Sequence, residues 1–171
     1  MIRTERLDLV VLTRAFLERA AVGEERPDLG FVDPEDFLAG ADDVVRLRLE
    51  QLAVEPALEP WLLRAIVLRE SRVAVGFCTF HDAPDERGIV ELGYEIVPAY
   101  RRRGFARETA RAMAAWAAHH GARVLRASVS PDNVGSLALV EGEGFVRVGE
   151  QVDEVDGLEY VFEKPLGLTG A

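Results

Sequence analysis

The chain is predicted to form a single α/β domain spanning residues 1–171, and three observations carry that prediction. Apolar runs of strand length alternate with longer segments of helical period. Two neighbouring strand pairs follow one another too closely for a helical crossover between them, so they pair as hairpins. No internal repeat, low-complexity tract or Pro/Gly/Ser linker divides the sequence. With 49% apolar and 29% charged residues, the composition suits one globular core.

Leu7–Leu12 is a short apolar run that reads as the first strand. Residues 13–23 carry a helical pattern. A second helix is expected to open at Asp33-Pro34-Glu35-Asp36, with aspartate at the N-cap, proline in the first position and acids in the first turn, and to run to about Leu52. Ala65–Arg69 and Val73–Phe80 flank the polar turn Glu70-Ser71-Arg72 as a hairpin. The stretch His81–Gly88 is a polar loop, and a further strand runs from Ile89 to Val97, stopped by Pro98. From Gly104 to His120 the chain is strongly helical and rich in alanine, and Gly121 ends it. Val124–Val129 is a strand, and Ser130-Pro131-Asp132-Asn133 opens another helix that stops at Gly142 and Gly144. Phe145–Val148 and Leu158–Phe162 close the chain as an antiparallel pair. The resulting order, β-α-α-β-β-β-α-β-α-β-β, is not a doubly wound alternation, which disfavours a crossover dinucleotide site.

Several function classes are excluded or disfavoured at this level. A net charge of −10 argues against a nucleic-acid binder with a broad basic face; it is compatible with a cationic partner. No apolar stretch approaches the roughly 18 residues of a membrane span. The N-terminus lacks the apolar region of a secretory signal, so cytoplasm is expected. The lone cysteine, Cys78, permits no internal disulfide or cysteine zinc site and reads as a core thiol. His119 and His120 close a helix, His81 ends a strand where it could line a cleft, and no histidine pair has metal-ligand spacing, so no metal is expected. Trp61 and Trp116 read as core.

The most informative stretch runs from Glu91 to Ala106: a strand, a short basic loop, then a glycine opening a long helix. The first N–H groups of a helix have no internal partner, and the dipole makes that end partly positive. A phosphate placed there gains several hydrogen bonds at once. Gly104 and Ala106 are small, and Arg101, Arg102 and Arg103 add positive charge in an otherwise acidic chain. Together these residues describe a diphosphate cradle; a solvated basic turn before an ordinary helix is the alternative. A P-loop is disfavoured, because Phe105-Ala106-Arg107 stands where Lys-Ser/Thr would follow the glycine.

Arg101-x-x-Gly104-x-Ala106, placed after a strand and before a long helix, resembles the Q/R-x-x-G-x-G/A signature of GCN5-related N-acetyltransferases (GNAT). Asn133-Val134-Gly135-Ser136, followed by Glu143-Gly144-Phe145, is similar to that family's N-x-x-S…G-F ending. Arg3-Thr4-Glu5-Arg6-Leu7-Asp8-Leu9 resembles the opening of the RimJ/RimL-type branch. The likeness is strongest over residues 88–163. It implies a mixed, mostly antiparallel sheet flanked by helices, and acetyl-CoA as co-substrate with an amine as acceptor. By the same resemblance, main-chain groups of Glu95, Ile96 and Val97 would pair with pantetheine like an added strand. Backbone amides from Arg102, Arg103, Gly104, Phe105, Ala106 and Arg107, beside Arg101, would hold the pyrophosphate. Asn133 would contact the pantetheine arm, and Ser136 would sit near the sulfur. The acceptor implied is a protein N-terminal amine or a small amine such as an aminoglycoside, polyamine or amino acid. Homodimers are common among such proteins, though no residue pattern here establishes one.

Acetyl transfer needs a proton acceptor for the amine, a donor toward the oxyanion and a proton for the departing thiolate. The resemblance suggests Val97 N–H as oxyanion donor. The tyrosine that many family members place four residues before the glycine of the final Gly-Phe is Val140 here, and the resemblance to the RimJ/RimL-type pattern then implies Ser136 as the general acid; a helix-surface hydroxyl, or one bonded back to its own helix, is the alternative. Strand alternation puts Val90, Leu92, Tyr94 and Ile96 on one apolar face and Glu91, Gly93 and Glu95 on the other. Glu91 is therefore one candidate base. Asp153 is a second, by its likeness to an acidic position of RimL-like enzymes, and a water chain is a third. A non-catalytic acyl-CoA sensor and a nucleotide-phosphate binder are the competing classes. Asn133 and Ser136 count against the first, and the missing Lys-Ser/Thr against the second.

Overall fold

A computed structural model describes residues 1–153 and 157–167. Its elements follow the expected order, with a two-residue strand added at the start. They are β1 (Ile2–Arg3), β2 (Leu7–Val11), α1 (Arg14–Ala21), α2 (Asp42–Val54), β3 (Arg64–Leu68), β4 (Ala74–Phe80) and β5 (Ile89–Ile96). Then come α3 (Phe105–His119), β6 (Val124–Val129), α4 (Val134–Gly142), β7 (Val146–Asp153) and β8 (Gly157–Pro165). Among the described residues the strands form one sheet, ordered β1-β2-β3-β4-β5-β6-β8-β7. Every pairing is antiparallel except β5 with β6. This is the mixed, mostly antiparallel α/β sheet that was expected.

Two buried clusters occupy the two faces. On one, Leu7, Leu9, Val90, Leu92 and Ile96 pack against Phe105, Ala110, Met113 and Ala117 of α3 and Leu139 and Val140 of α4. On the other, Ala65, Val67 and Phe77 pack against Phe16 and Leu17 of α1 and Val45 and Leu52 of α2. Cys78 is fully buried, and its thiol is pushed up to about 12 by that burial, which keeps it unreactive. Trp61 and Trp116 meet edge-to-face at 4.7 Å beside the first cluster, as core residues do.

One helix differs from expectation. The Asp33-Pro34 start does not open a helix; Asp33 Oδ1 instead accepts from Phe37 N–H to close a turn. Asp36 and Gly40 both adopt positive φ, which breaks helical continuity, while Phe37 and Leu38 drop into the core. The helix begins only at Asp42.

Between β5 and β6 the sheet opens. Their parallel pairing covers Ile89–Glu91 against Val124–Arg126 and ends there, although both strands continue to Ile96 and Val129. Two hydrogen bonds fix which groups face this gap. His81 N–H donates to the Glu91 carbonyl and Val97 N–H to the Val75 carbonyl, both at 2.9 Å. Odd-numbered residues of β5 therefore spend their main-chain groups on β4, and those of Leu92, Tyr94 and Ile96 point toward β6.

Candidate active site

The gap leads into a cavity of about 880 Å³ lined by the end of β5, the start of α3 and the start of α4. Gly104, at φ +81, is the left-handed residue that turns the basic loop into α3. Arg102 also has positive φ, at 59°. The first bond of α3 runs from Glu108 N–H to the Gly104 carbonyl, so the N–H groups of Phe105, Ala106 and Arg107 have no helical acceptor. All three residues line the cavity.

The N-terminal segment grips this turn. Glu108 accepts from Thr4 Oγ1 at 2.5 Å and from Arg6 N–H and Nε at 2.8 and 2.7 Å. Burial alone would raise the Glu108 carboxyl, but these hydrogen bonds outweigh it and hold the pKa below the ordinary range. Arg6 also donates to the Arg103 carbonyl and lies over the Phe105 ring. The opening Thr4-Glu5-Arg6 is thus a brace for the cradle. Replacing Glu108 with glutamine is expected to cost about 1–2 kcal/mol, since charge-assisted bonds are lost at a site where Arg6 stays half exposed. Because the folded pKa is depressed, that contribution is present above the ordinary carboxylate range and fades as pH falls through the folded value. Urea melts at pH 7 and pH 3 check this: the gap between wild type and Glu108→Gln should narrow at the lower pH.

The far wall is α4. Asn133 caps it, with Oδ1 accepting from Ser136 N–H at 3.0 Å. The Ser136 hydroxyl lies 3.0 Å from the Tyr94 hydroxyl across the cavity. Burial raises the Tyr94 pKa, and the contact with Ser136 offsets only part of that, so the phenol stays protonated through the neutral range. Alternation alone placed Tyr94 on an apolar face; the docking of α4 supplies its polar partner. Glu143, past the end of α4, ties the two walls together through Arg111, in a bidentate pair at 2.8 and 2.9 Å, and Arg107 at 3.1 Å. Hydrogen bonding from Arg111 lowers its pKa despite burial.

Most of the expected cofactor-binding positions line this cavity, namely Glu95, Ile96, Arg101, Arg102, Gly104, Phe105, Ala106, Arg107 and Asn133, together with Ser136, the expected acid. Arg103 does not; its guanidinium returns to the Ala99 carbonyl and the Tyr100 ring. Val97 is a correction. Its N–H is given to Val75 and its carbonyl accepts from Tyr100 N–H, so it has no main-chain donor for pantetheine or an oxyanion. The Ile96 carbonyl is taken by Arg101 Nε at 2.7 Å. Glu95 is a second correction, since its main chain faces β4 like that of Val97, and the main-chain donors that face the gap are those of Tyr94 and Ile96.

Glu91 and Asp153 lie away from this cavity, on the opposite face of the sheet. That face carries Glu91, Gly93 and Glu95 of β5, Ser128 of β6, and Gln151 and Asp153 of β7, with Gln151 donating to Ser128 at 3.2 Å. His81 joins them, its Nδ1 3.8 Å from Glu91 Oε1. Among the described residues no group of three or more His, Cys, Asp or Glu side chains is arranged to hold a metal, and no helix is long and apolar enough to cross a membrane.

The profile of the Acetyltransferase (GNAT) domain family matches residues 24–146, well over half of the chain. The chain belongs to the GNAT acetyltransferase family. Among curated proteins it is similar to the uncharacterized N-acetyltransferase YjdG of Bacillus subtilis strain 168, 32% identical over 82 residues. That match covers 47% of this chain and 49% of YjdG, so it spans about half the length of the curated relative. Among solved structures, this GNAT chain superposes on the apo ribosomal L7/L12 α-N-protein acetyltransferase RimL with a TM-score of 0.65 and 11% identity, covering 95% of each chain. The microcin C7 self-immunity acetyltransferase MccE, solved with acetyl-CoA and AMP, gives 0.64 and 12% identity over 95% of this chain and 93% of that one. These likenesses establish the GNAT fold.

Proposed function

We propose that this GNAT protein is an acetyl-CoA-dependent N-acetyltransferase that moves an acetyl group onto a primary amine, either a protein N-terminus or a small-molecule amine, by direct attack on the thioester. One observation carries the reading. The gap between β5 and β6 joins a cavity with free helix N–H groups and a hydroxyl pair on one face of the sheet to a carboxylate-bearing face on the other. In that arrangement Phe105, Ala106 and Arg107 N–H groups hold the pyrophosphate with Arg101 and Arg102. The inward N–H groups of Tyr94 and Ile96 pair with the pantetheine arm, and Asn133 borders it. The amine approaches from the face of Glu91 and Asp153, where negative charge favours a cationic acceptor. The protein acts in the cytoplasm.

Ser136 and Tyr94 form the acid side. A hydroxyl hydrogen-bonded to a protonated phenol can give its proton to the departing thiolate and recover one from its partner. Ser136→Ala is expected to lower kcat about 100-fold and Tyr94→Phe about 10-fold, each leaving acetyl-CoA affinity within about two-fold. Steady-state rates with calorimetric Kd values check this; wild-type kcat in both variants would remove the pair from the mechanism. Both residues also speak against the competing reading, a non-catalytic acyl-CoA sensor, which needs neither hydroxyl.

Calorimetric titration with acetyl-CoA, with ATP and NADH as controls, tests the reading, followed by thiol release against a panel of primary amines. Selective acetyl-CoA binding with amine-dependent thiol release is expected. Binding without release would favour the sensor, and no binding would overturn the acetyl-CoA assignment.

A further inference from the structure

The amine side of the reaction needs a proton acceptor, and the carboxylates on that face do not stand alone. His81 follows β4 and lies level with Glu91, the last β5 residue paired with β6. Its N–H pairs with the Glu91 carbonyl at 2.9 Å, and its carbonyl accepts from Arg48 Nη1 at 3.1 Å and Gln51 Nε2 at 2.8 Å, so β5 and α2 hold its main chain from both sides. Two residues along β5, Gly93 leaves room for the ring. A Cβ there would lie 3.3 Å from His81 Nε2 and 3.9 Å from Cδ2. Nε2 is therefore the ring nitrogen that lies over Gly93 of β5, two residues past the last pairing with β6, while Nδ1 faces Glu91 Oε1 at 3.8 Å. The side chain remains 51% exposed, open to an incoming acceptor.

We propose that His81 takes the proton from the attacking amine, with Glu91 as the residue that positions its ring. This rests on the acetyltransferase reading above. The amine lone pair forms the N–C bond to the thioester carbonyl carbon, and the carbonyl π pair moves onto oxygen. The ammonium nitrogen of that adduct gives its proton to Nε2. The oxygen pair then re-forms the carbonyl as the C–S bond breaks, its electrons leaving on sulfur, which takes a proton from Ser136. Amide and free thiol result, with one proton on His81 and one missing from the hydroxyl pair; both are restored from solvent.

The electrostatics suit a base. Burial lowers the imidazole pKa, Glu91 raises it, Arg48 lowers it again and Asp153 raises it, and the balance falls below the ordinary 6.5. Two further charged groups border these: Arg126 of β6, opposite Glu91 in register and paired with Glu163 at 2.6 Å, and Asp82, which acts on Arg48. The ring is neutral at pH 7, with a lone pair free to accept a proton.

His81→Gln and Glu91→Gln test this, by kcat/KM against pH with the fastest primary amine of the panel and by NMR titration of the imidazole. His81→Gln keeps the main-chain contacts that anchor the segment. Wild type should gain activity with pH, with an apparent pKa below 6.5. His81→Gln should lose about 100-fold in kcat and that limb, with acetyl-CoA affinity within about two-fold. Glu91→Gln should keep more activity but move the limb, and the imidazole pKa, to lower pH, because the carboxylate that raises it is gone. An unchanged rate and limb in His81→Gln overturns the proposal while leaving the acetyltransferase reading standing. An imidazole titrating at or above 6.5, or unmoved in Glu91→Gln, overturns it without any acceptor. Failure of the wild type to bind acetyl-CoA would instead sink the reading beneath it.

Discussion

Gly76→Ala is expected to destabilise the protein by about 3 kcal/mol or more, lowering Tm by about 6–12 °C. Gly76 lies in β4 opposite Ile96, at φ +152, where the neighbouring strand comes unusually close. A Cβ at this position would stand 2.0 Å from the Glu95 carbonyl oxygen and 3.0 Å from the Glu95 carbonyl carbon and Ile96 Cα. These are main-chain atoms of a central strand with no flexible end to move aside, so β4 and β5 must separate. The same movement would disturb Tyr94 and Ile96, whose N–H groups face the gap. Thermal melts with acetyl-CoA titration check both effects. A melting temperature within 2 °C of wild type would show that the two strands can part at little cost, roughly under 1 kcal/mol.

Gly104→Val is expected to act in the opposite proportion, mildly on folding and strongly on acetyl-CoA. The φ of +81° costs a β-branched residue about 2 kcal/mol, or about 4–8 °C in Tm. Space is not the obstacle, because an added Cβ would approach only Arg6 Nη2, at 3.3 Å, the end of a flexible side chain. Relaxing the backbone, however, would turn the free N–H groups of Phe105 and Ala106 away from a bound diphosphate. Losing one or two charge-assisted hydrogen bonds weakens Kd about 100-fold. Calorimetry beside a thermal melt separates the two effects. Near-wild-type affinity in the folded variant would move the pyrophosphate away from the start of α3. The reason glycine is needed here is also sharper than small size: the turn is left-handed.

Much of this molecule was readable along the chain. The strand periods, the Gly121 stop and the glycine-led start of α3 each depend on neighbours within a few residues, and each stands where it was expected. The basic loop, Gly104, Asn133 and Ser136 were legible because their spacing forms motifs, and the fold brings them to one cavity. The Asp33 start misled because local capping chemistry says nothing of Phe37 and Leu38 being drawn into the core, or of Asp36 and Gly40 turning the chain.

Sequence by itself determined the α/β class, the order of elements, the glycine-led turn into α3 and the face on which Glu91 lies. Tertiary structure decided what each of these meets. Tyr94 and Ser136 are 42 residues apart and Thr4 and Glu108 are 104 apart, so neither pair leaves a periodic signal. Sheet register alone assigns the Val97 main chain to β4 and Tyr94 and Ile96 to the gap, since a shift of one residue would reverse them. His81 gains its place over Gly93 in the same way, from the pairing of β4 with β5 and the packing of α2. Local periodicity fixes which side of a strand a residue occupies; only register and packing fix its partner.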